Sequence, residues 1–262
     1  MDPPSRPRDT PLNIAILLNS YRSRLLPAIR ASYVRTIGAV EPTAKLVFFE
    51  PANRGEFPDP SAFDLIVLGG GNVDPRKNHP WILSVHAFLT RLVAQHPSQK
   101  ILGICWGHQT ISRVFGGKVV EALRPEMGVA TVNLTEKGCD FFPEAAALGS
   151  FRLQQHHRRE VAVAAPGFSQ LAHGNQCLLN AEGTILTFQG HPEKDAETAR
   201  LRMHDSSRWF GFDSLDEKLW AKLQEMIEME HDGDMVWRRI MEWVREPIAA
   251  AKASPHGRKT KI

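Results

Sequence analysis

The sequence contains no run of 18 apolar residues, so no membrane span is expected from it. It is poor in cysteine. Cys105, Cys139 and Cys177 are the three present, and none form a CxxC pair. An odd, sparse set argues against a disulfide scaffold and for a reducing compartment, with the cytoplasm as the expected location. A strong charge bias is also missing: the net charge is +3 over 262 residues, which by itself calls for neither nucleic acid nor an anionic membrane. Gly69-Gly70-Gly71 is not followed by Gly-Lys-Ser/Thr, which excludes a phosphate loop. His156, His157 and His173 lie at no zinc-site spacing from Cys139 or Cys177, so no metal and no cofactor are expected. The N-terminus, Met1-Asp2-Pro3-Pro4-Ser5-Arg6-Pro7, is too polar and proline-rich for a signal peptide.

What is present is an ordinary globular balance, 42% apolar and 23% charged, enough to bury a core without staples. Short apolar runs at 12–18, 45–49, 63–68 and 100–104 read as buried strands. Helical patterns lie between them at about 24–38, 81–94 and 107–115. Such alternation predicts an α/β fold, a mainly parallel sheet with helices on both faces. Residues 118–123, 129–134, 161–164, 177–180 and 184–189 read as shorter strands that extend the sheet in antiparallel or mixed fashion. From about residue 195 the pattern turns helical. Ser214 and Glu217 have capping-box spacing, followed by Leu215, Leu219, Leu223, Met226 and Ile227 on one face. A second amphipathic stretch carries Val236, Trp237, Ile240, Met241 and Val244. The expected organisation is a disordered lead-in (1–11), an α/β domain (12–200), a helical extension packed on it (201–250) and a basic disordered tail (251–262).

Three tracts carry chemistry. Gly103-Ile104-Cys105-Trp106-Gly107 falls between a strand and a helix, the grammar of a nucleophile elbow with cysteine in place of serine. The following helix aims its positive end at the sulfur, which predicts a lowered thiol pKa. In Gly190-His191-Pro192-Glu193, Pro192 biases His191 toward an extended backbone, so that His191 and Glu193 project to the same side. That supplies a base and the carboxylate that orients it. Gly69-Gly70-Gly71, at a strand end, leaves backbone amides open to a substrate oxygen. Gly70 or Gly71 with Trp106 would form the oxyanion hole.

Together, and in this order, the tracts resemble the class I (triad) glutamine amidotransferases over about residues 12–195. The resemblance implies a flavodoxin-like sheet and a catalytic triad of Cys105, His191 and Glu193. It also implies substrate binding by Gln109 and by a loop at Gln155-His156-His157-Arg158-Arg159-Glu160, with His156 and His157 facing substrate. Two departures stand out. Asn72 follows the glycines where the family often has proline, and His156-His157-Arg158-Arg159 stands where it often has Ser-His-Gly-Asp.

The implied reaction is hydrolysis of a γ-glutamyl amide through a γ-glutamyl thioester on Cys105. Roughly 65 residues follow the hydrolase region and carry no nucleotide motif, too few for a synthase of normal domain size. Either a separate synthase takes the ammonia released from glutamine, or the protein works alone as a γ-glutamyl peptidase on glutathione or its conjugates. A reading of another class is a non-catalytic redox-sensing or scaffold protein of the same fold, against which His191 and Glu193 speak.

Overall fold

A computed structural model of the chain describes residues 10–210 and 217–248. Strand β1 (Asn13–Asn19) leads through α1 (Leu26–Val40) to β2 (Lys45–Phe49), and a short α2 (Pro51–Arg54) precedes β3 (Leu65–Gly71). Then come α3 (Pro80–Gln95), β4 (Lys100–Ile104) and α4 (Trp106–Val114). The middle of the chain supplies β5 (Lys118–Asn133), α5 (Glu136–Phe141), β6 (Ser150–Val163), β7 (Phe168–Ala172), β8 (Cys177–Asn180) and β9 (Ile185–Phe188). Helices α6 (Ala196–Phe210), α7 (Glu217–Glu228) and α8 (Gly233–Arg245) follow. The lead-in through residue 9, Ser214 of the capping box and the tail from residue 249 lie outside the described residues.

The central sheet has seven strands in the order β2-β1-β3-β4-β9-β8-β7. The first five are parallel; β8 and β7 add antiparallel pairs at one edge. Side chains alternate along the strands and so feed two cores. Ile14, Ile16, Leu65, Val67, Leu102 and Leu186 pack on one face with Tyr33 and Ile37 of α1. Ala15, Leu17, Ile66, Leu68, Ile101 and Ile185 pack on the other with Ile82, Val85, Leu89 and Leu92 of α3. Covering on both faces is why these strands read as continuous apolar runs. No helix among the described residues is long and apolar enough to cross a membrane.

The middle segment departs from expectation. The runs at 118–123 and 129–134 are one strand, β5, with a register shift between Glu121 and Glu126. It pairs with β6 in a separate two-stranded ribbon, and isolated bridges join Leu134 to Ala172 of β7 and Gln154 to His191, past the end of β9. Charged and polar residues dominate the middle of both strands, and Arg124-Pro125 interrupts the ladder. Apolar alternation is confined to their ends, as in Ser150-Phe151-Arg152-Leu153.

The C-terminal helices take different places. Helix α7 lies across the ribbon at Gly128, whose φ is +90° and where a Cβ would come within 2.7 Å of Met226. Met127, Ala199, Met203 and Ile227 form a small cluster there. Helix α8 instead enters the larger core, burying Val236, Trp237, Ile240, Met241 and Trp243 beside α1. Trp237 is fully buried, so Trp237→Ala is expected to lower stability by about 3–5 kcal/mol, read from the urea midpoint. A loss below about 1 kcal/mol would mean that α8 is not part of the cooperative core.

Candidate active site

Strand β4 ends at Ile104 and α4 begins at Trp106, so Cys105 alone turns the chain. Its backbone takes φ 51° and ψ −98°, a conformation that residues with a side chain rarely adopt. Two hydrogen bonds pin it: the Cys105 amide donates to the Phe188 carbonyl (2.8 Å), and the Gln109 amide donates to the Cys105 carbonyl (3.0 Å). The flanking glycines are needed for close approach. A Cβ on Gly107 would overlap the Leu68 carbonyl oxygen, and one on Gly103 would lie 2.7 Å from Ile111 Cδ1.

The register of the sheet brings the other tracts alongside. Leu68 is level with Gly103, and Gly103 with Thr187. The glycine tract, which completes β3, therefore ends on one side of Cys105, and the chain leaving β9 passes on the other. There the His191 amide donates to the Gln154 carbonyl (2.9 Å), and His191 Nδ1–H donates to Glu193 Oε1 (2.7 Å). Both side chains are buried. The Ser32 hydroxyl donates to the Glu193 carbonyl (2.5 Å) and holds the tract to α1. His191 Nε2 has no hydrogen-bond partner among the described residues, so the nitrogen left bare is the one able to take a proton.

Cys105 lies between two adjoining cavities. One, of about 40 Å³, is lined by Gly70, Gly71, Cys105, His191, Glu193 and Lys194 among others. The other, of about 140 Å³, is lined by Gly71, Cys105, Trp106, Gln109, His156, His157 and Arg202 among others. Every residue nominated from the sequence thus borders one cavity or both. Gln109 Nε2 donates to the Arg159 carbonyl (2.7 Å) and to Gln189 Oε1 (3.0 Å), tying α4 to β6. His156 Nε2 sits 2.9 Å from the Ser206 hydroxyl, and His157 Nε2–H donates to Glu126 (3.1 Å). The tract 155–160 is not a loop. It is part of β6, with Gln155 opposite Gly128 and His156 opposite Met127. Sequence reading also missed Lys194 and Arg202, which line the first cavity. Among the described residues, no three His, Cys, Asp or Glu side chains gather as metal ligands.

The profile of the family described as Glutamine amidotransferase class-I matches residues 31–207. The chain belongs to this family. Among its relatives is the glutamine amidotransferase-like protein chyE of Penicillium rubens, 33% identical over 90% of this chain and 98% of that protein. Gamma-glutamyl peptidase 2 of Arabidopsis thaliana is 32% identical over 55% of this chain and 60% of that one. The crystal structure of a glutamine amidotransferase from Thermotoga maritima superposes with a TM-score of 0.64 at 17% identity, covering 89% and 96% of the two chains. That likeness shows the flavodoxin-like fold. Family membership makes this amidotransferase-like protein a cysteine amidohydrolase or amidotransferase for a glutamine or γ-glutamyl substrate.

In this amidotransferase-like protein the electrostatics differ from the sequence expectation in sign. Burial pushes the Cys105 thiol up to about 11, outweighing Lys194, Arg202 and the Trp106 amide, which pull it down. Burial likewise lowers His191 to about 4, helped by Lys194 and opposed by Glu193. The free site therefore holds a neutral thiol and a neutral imidazole, with the proton to move during attack. Because the thiol pKa is raised, thiolate is scarce at neutral pH and grows as pH rises toward about 11. Alkylation of Cys105 by iodoacetamide, followed by intact mass, is expected to accelerate roughly tenfold per pH unit between pH 7 and 10. A plateau beginning below pH 8 would show a preformed thiolate instead.

Proposed function

We propose that Cys105, His191 and Glu193 form the triad of a hydrolase that cleaves γ-glutamyl amides. The observation that carries this is the buried His191–Glu193 hydrogen bond of 2.7 Å with Nε2 left bare, in a cavity shared with Cys105. Glu193 holds the imidazole in the tautomer whose Nε2 accepts a proton. As the sulfur attacks the γ-carbonyl, its proton passes to Nε2. The amides of Gly71 (or Gly70) and Trp106 receive the oxyanion. His191 then protonates the departing nitrogen, the C–N bond breaks and a γ-glutamyl thioester remains. Water, deprotonated by His191, releases glutamate and restores the thiol.

In this reading Gln109, His156 and His157 border the space for the γ-glutamyl half of the substrate. Residues 12–200 are the catalytic unit. The helices within 201–250 support it, α8 by filling its core. The three free thiols suit a reducing compartment, in our proposal the cytoplasm. With glutamine as substrate the product is ammonia, available to a separate synthase. With a γ-glutamyl amino acid or peptide the protein is a peptidase, a reading favoured by the charge of the cavity on the His191 side.

Ammonia release from glutamine and amino-acid release from γ-glutamyl dipeptides separate these outcomes. Cys105→Ala is expected to lower turnover about 1000-fold or more, and Glu193→Gln roughly 100- to 10,000-fold in kcat. Undiminished turnover by Cys105→Ala would overturn the assignment, and absence of turnover on every γ-glutamyl amide would favour a redox-sensing or scaffold role.

A further inference from the structure

The proposed reaction divides the two cavities beside Cys105 between the two halves of the substrate. The group that protonates the leaving nitrogen must face it, so the leaving amine sits on the His191 side of the sulfur. His191 and Glu193 line the smaller cavity and not the larger one. The smaller cavity therefore belongs to the leaving group.

Its charge is the second observation. Lys194 lines this cavity and is 5% exposed, and its ammonium makes no hydrogen bond or ion pair among the described residues. Arg202 lines it too, with a side chain 12% exposed and a single long contact to Asp205 at 3.4 Å. The remaining titratable groups on the wall are Cys105, His156, His191 and Glu193. Burial keeps the thiol and both imidazoles neutral near pH 7, and the carboxylate is already bonded to His191. A buried ammonium with no hydrogen-bonded partner is costly, and burial lowers Lys194 to about 7 although the nearby Glu193 charge opposes it. An anion seated against it would offset that penalty, whereas ammonia or a neutral amine would not.

We propose that Lys194, assisted by Arg202, binds a carboxylate carried by the leaving amine, so that the favoured substrates are γ-glutamyl amino acids or peptides with a free carboxyl end. This rests on the hydrolase reading above and adds a specificity-determining residue to it. Glutamine offers no group to this subsite.

The test compares γ-glutamylglycine with γ-glutamylglycinamide, which differ in that carboxylate, and with glutamine. For the unaltered protein, kcat/KM is expected to be at least about tenfold higher for the acid than for its amide. Lys194→Met should bring that ratio close to one, while Lys194→Arg, which keeps the charge, should hold it well above one. Equal rates on acid and amide by the unaltered protein would overturn the subsite whether or not a variant folds. A ratio unchanged in folded Lys194→Met would remove Lys194 from it. Cleavage of glutamine and the amide as fast as the acid would sink the carboxylate site alone. Cleavage of none of the three would sink the hydrolase reading with it.

Discussion

Strands β3, β4 and β9 lie side by side, parallel and in register, and the site depends on that alignment. Their carboxyl ends release three unrelated stretches of chain at one level: three glycines, a cysteine and a His-Pro-Glu tract. Open parallel sheets place ligands at such ends because the helices covering the faces leave the ends accessible. The hydrogen bond from the Cys105 amide to the Phe188 carbonyl continues the ladder one residue past β4. It is the last rigid link before the chain departs. A slip of one residue between β4 and β9 would move His191 to the opposite side of the sheet.

Legibility in the sequence followed burial. The central strands could be read because both of their faces are covered, leaving apolar runs with sharp ends. The elbow could be read because Gly103 and Gly107 allow helix α4 to approach the strands more closely than any Cβ permits. The ribbon was harder. The tract from Gln154 to His157 is polar and buried, and local pattern equates polar with exposed. Lys194 escaped notice for the same reason: its residue type predicts solvent, and the folded surroundings remove it. The thiol pKa was misjudged through geometry of another kind. The orientation of a helix is local and visible in the sequence, while desolvation is a property of the folded whole.

Burial of the site has a chemical counterpart. A neutral thiol beside a neutral imidazole is less prone to stray reaction than an ion pair, since the thiolate is the form that oxidants and alkylating agents attack. Substrate binding brings the carbonyl and its developing charge into a setting of low polarity, where oriented amides act strongly. The positive φ of Cys105 belongs to the same arrangement. It projects the sulfur toward both cavities, and neighbouring backbone bonds hold the strain.

Helix α8 has a consequence for the order in which the molecule can be made. Its Trp237, Ile240 and Trp243 close the core face that β1 and β3 open near the start of the chain. Strand β9, the direct neighbour of β4, is separated from it by about 80 residues in which the ribbon and the antiparallel edge are formed. During synthesis, the early strands thus leave the ribosome with an apolar surface that stays open until α8 has emerged. Folding dominated by such distant pairings is slow and exposes sticky intermediates. The arrangement that seals the core so completely ties its completion to the arrival of α8, a stage at which a chaperone has most to offer.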